Sequence, residues 1–273
     1  MQREAFMDKA FWWVAGAVVI VIAAAGIYYY KSHKVAPPPA MPAVAPPPPV
    51  AAAEAGIRHP IPERTATDEP APPELADSDG PMRDTLTGVF GAKPIEQFLV
   101  PQNIIRHIVV TVDNLPRKKV AVELRPVRPT AGTTLTGGSE DALTLGPANY
   151  ARYASLVQLV RAADTKQLTR VYFHFYPDFQ QAYENLGYPS QYFNDRLVEV
   201  IDDLLKTPDV TGPIALLQPR VFYEYKDRDL EARSAGQKLL IRMGPENAQV
   251  IKAKLLEIRS AIIGHEKTRA KHG

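Results

Sequence analysis

Asp195, Glu199 and Asp202 stand at i, i+4 and i+7 of one stretch, with Asp203 alongside. On a helix that spacing puts three carboxylates on one face, where a cation would relieve their mutual repulsion: a metal ion, or arginines from a neighbouring element. Calcium asks for six or more oxygens, usually from a loop, so a solvated face offset by Arg196 is the plainer expectation. No metal is expected, and these three residues are the ones that would hold it. His174 is followed four residues on by Asp178, a pairing that can orient a general base. No serine in a G-x-S-x-G elbow accompanies it, so His174 is expected on an exposed polar face.

Nine of the 12 tyrosines fall between Tyr150 and Tyr225. Some must be core residues whose hydroxyl reaches a partner. Asn149, Tyr150, Arg152 and Tyr153, near a helix start, together with Tyr188 and Tyr192, are the candidates for a groove that takes a peptide or glycan, because Tyr and Arg are favoured at contact hot spots. Arg117, Lys118, Lys119, Arg125 and Arg128 form a basic stretch without interleaved aromatics, so it reads as a solvated face or a match for the acidic stripe. There is no P-loop, dinucleotide fingerprint, H-E-x-x-H or nucleic-acid module. With no cysteine in the chain, a Cys nucleophile, disulfides and Cys-ligated metals are excluded, and no cofactor is expected.

The elements that position these residues are mostly helical. "SDGPMRDTLTGVFG" offers Ser78 or Asp79 as a cap and Gly91 as a stop. Ile104, Ile105, Ile108, Val109 and Val112 recur at helical spacing, giving a helix from about Pro101 to Asp113, with a strand as the alternative for so β-branched a run. Further helices are expected over 147–163, 166–186, 190–206 and 245–263, with Pro177 kinking the second or starting a new one. "SAGQKLLIRMG" is a short helix closed by Gly244, and Pro245 opens the next, so "RMGPEN" is architectural. "TTLTGGSEDALTLG" reads as a β-hairpin, and "PIALLQPRVFYEYKD" as irregular or extended. Ala248, Ile251, Leu255, Ile258 and Ile262 make an a/d seam barely two heptads long, which favours packing within the domain over the alternative of a homodimer.

Ahead of this body the composition changes. Half of the 26 prolines lie between Pro37 and Pro73, in Pro/Ala sequence too poor in branched and aromatic residues to pack. Such a segment advances about 3.1 Å per residue in polyproline geometry and serves as reach. Before it, Phe11 to Tyr30 is uncharged and long enough for a bilayer's hydrocarbon core, with Trp12 and Trp13 at one end and Tyr28, Tyr29 and Tyr30 at the other, as in an aromatic belt. A cleaved export signal would have a shorter apolar run and a clearly positive start, which Glu4 and Asp8 offset here. The expected organisation is a short tail (1–10), a transmembrane helix (11–30), a Pro/Ala-rich disordered spacer (31–78), one helical domain with a small β-hairpin (79–263) and a basic tail (264–273). The fold class is therefore mostly α. The formal net charge of +2 excludes a strong general attraction for nucleic acid.

"TVDNLPRKKV", "GPANYARYASLV", "ENLGYP", "DDLLKTP" and "GQKLLIRMGPENAQVIKAKLLEIR" resemble, in order, a proteobacterial family catalogued as domain of unknown function 3014, over about Arg83 to Ile263. The resemblance implies a single-pass protein of the cell envelope and brings no activity or catalytic residues with it. Together these features lead to a membrane-anchored binding or scaffolding protein of the bacterial inner membrane, holding a periplasmic helical domain toward an envelope protein or polymer. An envelope hydrolase using His174 or the Asp195, Glu199 and Asp202 carboxylates is the alternative.

Overall fold

The computed structural model describes residues 56–61, 71–130, 132–139 and 141–269. The expected anchor at 11–30 and most of the spacer lie outside these residues. Among the described residues no helix is long and apolar enough to cross a membrane.

Three helices open the body: α1 (Asp79–Phe90), α2 (Ala92–Phe98) and α3 (Ile104–Asn114). Gly91 ends α1 as expected, but the caps work differently from the sequence reading. Ser78 makes no cap and its hydroxyl donates to the Leu75 carbonyl instead. The Asp79 carboxylate caps α3, accepting from the backbone N–H groups of Asn103 and Ile104 at 2.7 and 2.8 Å. A single 3-10 turn (Val122–Leu124) follows, then strands β1 (Thr136–Gly137) and β2 (Thr144–Leu145). The expected 147–163 helix is broken into α4 (Pro147–Tyr150), a 3-10 turn (Ala151–Tyr153) and α5 (Ala154–Ala162). Pro177 starts a new helix rather than kinking one: α6 (Thr165–His174) stops and α7 (Tyr176–Asn185) begins with Pro177 in its first turn, where the missing N–H costs nothing. Next come α8 (Phe193–Leu205), strands β3 (Ile214–Leu217) and β4 (Glu224–Tyr225), and then α9 (Arg228–Glu231), α10 (Ala235–Met243) and α11 (Pro245–Arg269).

The hairpin expected at β1–β2 is half of a four-stranded antiparallel sheet in the order β1-β2-β3-β4. Thr144 pairs with Ala215 and Leu216 with Tyr225. The segment read as irregular or extended thus supplies two short strands, and Ile214 and Leu216 alternate inward while Ala215 and Leu217 face out.

Three apolar clusters hold the body. Met82, Ile104, Ile105, Val109, Phe175, Phe179, Tyr183 and Phe193 join α1, α3 and α7 to the start of α8. Leu145, Ile214, Leu216, Tyr225 and Ile241 seat the sheet on α10. Val200, Leu204, Leu240, Met243 and Ala248 join α8, α10 and α11. The seam of α11 is used inside the domain, where the helix packs against α5, α6, α8 and α10.

The folded body is longer than 79–263. Leu75 and Ser78, expected in the spacer, are buried, and residues 56–61 dock on α8. At the other end α11 continues as helix to Arg269, into the stretch read as a tail.

Candidate functional site

Proline at the first position of α4 and of α11 brings two helix starts to one place. Around them lies a cleft of about 490 Å³, bordered by Pro147, Tyr150, Ala151 and Ala154, by Gly212 and Pro213 ahead of β3, and by Met243 to Asn247. That volume falls in the range of small-ligand and peptide-side-chain sites. One wall is the Tyr150 ring, which lies flat against Gly244. A Cβ on Gly244 would come within 2.4 Å of the ring's Cγ, and Gly244 has φ +88°. Burial raises the Tyr150 hydroxyl above its ordinary pKa, so it stays a neutral hydrogen-bonding group at physiological pH. Asn247 fixes the wall, its amide donating to the carbonyls of Tyr150 and Met243 at 3.0 and 2.8 Å.

The neighbours expected to share the groove with Tyr150 sit behind it. Asn149 is fully buried and ties three elements: its amide donates to the Arg242 carbonyl at 3.0 Å, and its oxygen accepts from the Leu135 N–H at 3.2 Å and from Arg152 at 2.9 Å. Arg152 also donates to the Thr130 hydroxyl and the Gly132 carbonyl. Tyr153 packs on the α8–α10–α11 cluster. These three shape the support of the cleft, and Tyr150 alone of the four lines it.

Tyr188 and Tyr192 belong elsewhere. Tyr188 stacks on Tyr183 with ring centroids 4.7 Å apart, and its hydroxyl lies 2.8 Å from Arg117 and 3.4 Å from Asp113. Asp113, only 4% exposed, is the hub of that network. It accepts from Arg117 at 2.6 Å and from Arg196 at 3.1 Å, and Arg196 also reaches its carbonyl. Two guanidinium groups on one buried carboxylate satisfy a charge that would otherwise be costly inside the fold. Tyr192 is half-buried at the start of α8. Of the basic stretch, Arg117 meets Asp113, Lys118 donates to the Ala232 carbonyl and Arg128 to the Glu96 carbonyl, so these cations serve α3 and the loops rather than the acidic stripe.

The α8 carboxylates do not converge. Asp195 accepts from the backbone N–H groups of Arg58 and His59 at 3.0 and 2.7 Å. Glu199 pairs with Arg196 at 3.1 Å, and Asp202 with Arg259 of α11 through two contacts at 2.6 and 3.1 Å. Among the described residues no group of three or more His, Asp or Glu side chains could hold a metal ion. His174 is half-buried and lies edge-on to Phe175, so it departs from the exposed position expected. Asp178, one turn on, is buried with one carboxylate oxygen lacking a partner; burial raises its pKa, and the nearby His174 pulls it the other way.

A sequence model of the family described as "Protein of unknown function (DUF3014)" matches residues 104–259. The chain belongs to this family. The matched span of the DUF3014 chain runs from the first residue of α3 into α11 and includes the whole cleft, the Asp113 network and α8. No curated protein and no solved structure matches it.

Of the cleft's lining, sequence reasoning picked out Tyr150 and missed the rest, from Pro147, Ala151 and Ala154 through Gly212 and Pro213 to Met243–Asn247. The "RMGPEN" stretch carried the available signal: a glycine and a proline fused between two helices mark a place where a backbone is free to approach a side chain closely.

Proposed function

We propose that this DUF3014 protein is a membrane-anchored binding or scaffolding protein of the bacterial cell envelope. Its helical domain is held on a proline-rich spacer and meets a protein or polymer partner through the Tyr150 cleft. The observation that carries the reading is the lining of that cleft: one tyrosine ring, one methionine and three prolines, with the only amide side chain already bonded to two carbonyls. An aromatic and an adaptable thioether supply contact area, and prolines hold their shape at little entropic cost. The lining also carries one carboxylate, Glu246, and no serine, histidine or cysteine. The uncharged stretch from Phe11 to Tyr30 and the proline-rich sequence after it support the tethered placement.

Ala151 and Ala154 line the cleft and are exposed, so a large side chain there blocks it without disturbing the core. Ala151→Arg in the full chain should abolish in-cell crosslinking to the partner, whereas Ser155→Arg, exposed but outside the lining, should leave it intact. Equal crosslinking by both variants refutes the assignment of the cleft. A reporter active only outside the cytoplasm, fused after Gly273, tests the placement: a silent fusion puts the domain on the other side of the membrane.

The hydrolase alternative rests on the His174–Asp178 juxtaposition. His174→Ala that leaves both protein level and phenotype unchanged removes it.

A further inference from the structure

The first turn of α8 buries two polar side chains whose hydrogen bonds reach beyond their own helix. Asn194 is 0% exposed and Asp195 8%, and no side chain caps α8 at Tyr192. Both reach instead to a six-residue strap, residues 56–61. The two Asp195 oxygens accept from consecutive backbone N–H groups, Arg58 at 3.0 Å and His59 at 2.7 Å. The Asn194 amide donates to the His59 carbonyl at 2.7 Å. Every one of these hydrogen bonds goes to main chain. Of the strap's residues, Gly56, Ile57 and Arg58 are exposed and His59, Pro60 and Ile61 half-buried, and the Arg58 guanidinium stands 3.9 Å from Asp195. An exposed ion pair of that length contributes little energy and at most a preference for a basic residue.

The frame of this notch is set without the strap. The Tyr172 hydroxyl donates to the Asn194 oxygen at 2.8 Å, which turns the amide nitrogen outward to the strap. Tyr176 donates to Gln180 at 3.1 Å, and the same Gln180 oxygen accepts from the Phe193 N–H at 2.8 Å. The Gln180 nitrogen is held in turn by Glu184 and the Gln191 carbonyl. With the strap away, Asn194 keeps its bond to Tyr172, and its amide nitrogen and the two Asp195 oxygens are the three hydrogen-bonding atoms uncovered. On the strap side, Arg58 and His59 form a bend, which turns two consecutive N–H groups to one side where a single carboxylate can take both.

A carboxylate and an amide that read one N–H, the next N–H and the carbonyl after it form a receptor for the main chain of a bent segment. We propose that the Asn194–Asp195 notch is a peptide-binding site, that its ligand class is a bent segment with a basic residue two places before a proline, and that residues 56–61 occupy it as an internal ligand which a partner's segment of the same kind displaces. This site is separate from the Tyr150 cleft. An internal ligand competes at an effective concentration in the millimolar range, so the intact chain masks its own affinity.

The test uses the full chain and a labelled peptide of residues 56–62. Arg58→Pro with His59→Pro deletes both donors and empties the notch while leaving α8 untouched. The double variant is expected to bind the peptide at least about tenfold more tightly than the wild-type chain, the gain being the removal of the internal competitor. Adding Asp195→Ala should abolish that binding. Equal affinity for variant and wild type, or none for either at millimolar peptide, overturns the proposal. A second measurement needs no variant. Trypsin cuts after Arg58 only when the strap is released, so excess peptide carrying citrulline at the arginine position should speed cleavage of the wild-type chain there several-fold. An unchanged rate overturns the proposal equally.

Discussion

Gly91 and Gly244 have nearly the same backbone, with φ and ψ of 85° and 160° in the first and 88° and 160° in the second. Each closes one helix and leads directly into another. A side chain in that region of φ/ψ space costs about 1–3 kcal/mol, because the conformation is open to glycine almost alone. What surrounds the two glycines differs. A Cβ on Gly91 would meet only the Pro94 Cδ at 3.9 Å, an ordinary contact, whereas one on Gly244 would lie 2.4, 2.6 and 2.8 Å from three carbons of the Tyr150 ring. That ring cannot swing away freely, because Asn247 holds the Tyr150 carbonyl and the hydroxyl lies 3.4 Å from the Leu145 carbonyl. Forcing a methyl group into such a contact adds about 1–3 kcal/mol of overpacking. Gly91→Ala therefore measures the backbone cost alone and Gly244→Ala the same cost plus the clash, and the second should be less stable than the first by about 1–3 kcal/mol. Equilibrium unfolding in urea, with m shared across the three proteins, reads the difference directly. Equal losses would refute the close approach of Gly244 to Tyr150, and with it the wall of the cleft.

Asp113→Ala leaves Arg196, whose side chain is 17% exposed, with the backbone carbonyl of residue 113 and the outlying Glu199 as partners but no buried counter-charge, and should cost about 3 kcal/mol in the same unfolding assay. Arg117→Met, at a side chain half exposed to water, should cost under about 1 kcal/mol, and a reversed order refutes the hub role of Asp113. Asp178→Asn keeps the shape of a buried carboxyl and removes its charge. Because burial raises the Asp178 pKa in the folded chain, its contribution to stability is full below the ordinary carboxylate range and is lost as pH rises through the raised value. The variant should therefore gain on the wild type between acid and neutral pH and match it at the acid end. A constant difference across pH would show that the folded state does not perturb Asp178.

Helices were legible where periodicity and punctuation agreed. The apolar repeat of α3, Gly91 after α1, Pro177 between α6 and α7 and Gly244 after α10 all mark real boundaries. The β1–β2 hairpin was legible from its two glycines, but the sheet was not, because β3 is four residues long and acquires its identity from pairing Thr144 with Ala215, a contact 71 residues apart that no local pattern announces. Tyr150 stood out by type, yet its cleft is completed by Gly212, Pro213 and the Met243–Asn247 turn, each more than 60 residues away in sequence. The start of the body was hidden by composition, since six residues that dock through their backbone leave no side-chain signature.

The acidic stripe of α8 shows why spacing and chemistry part company. Residues at i, i+4 and i+7 do share a helix face, but a shared face brings them to one ligand only if a single neighbour covers that face. Here three neighbours do: the strap takes Asp195, Arg196 of the same helix takes Glu199, and Arg259 of α11 takes Asp202. A stripe of charge on a packed helix is thus a row of docking points, and its functional reading depends on which docked element can leave. Arg259 is carried by a 25-residue helix packed on four others, and Arg196 by α8 itself. The strap contributes six residues and no buried apolar side chain, so it is the element whose departure costs least.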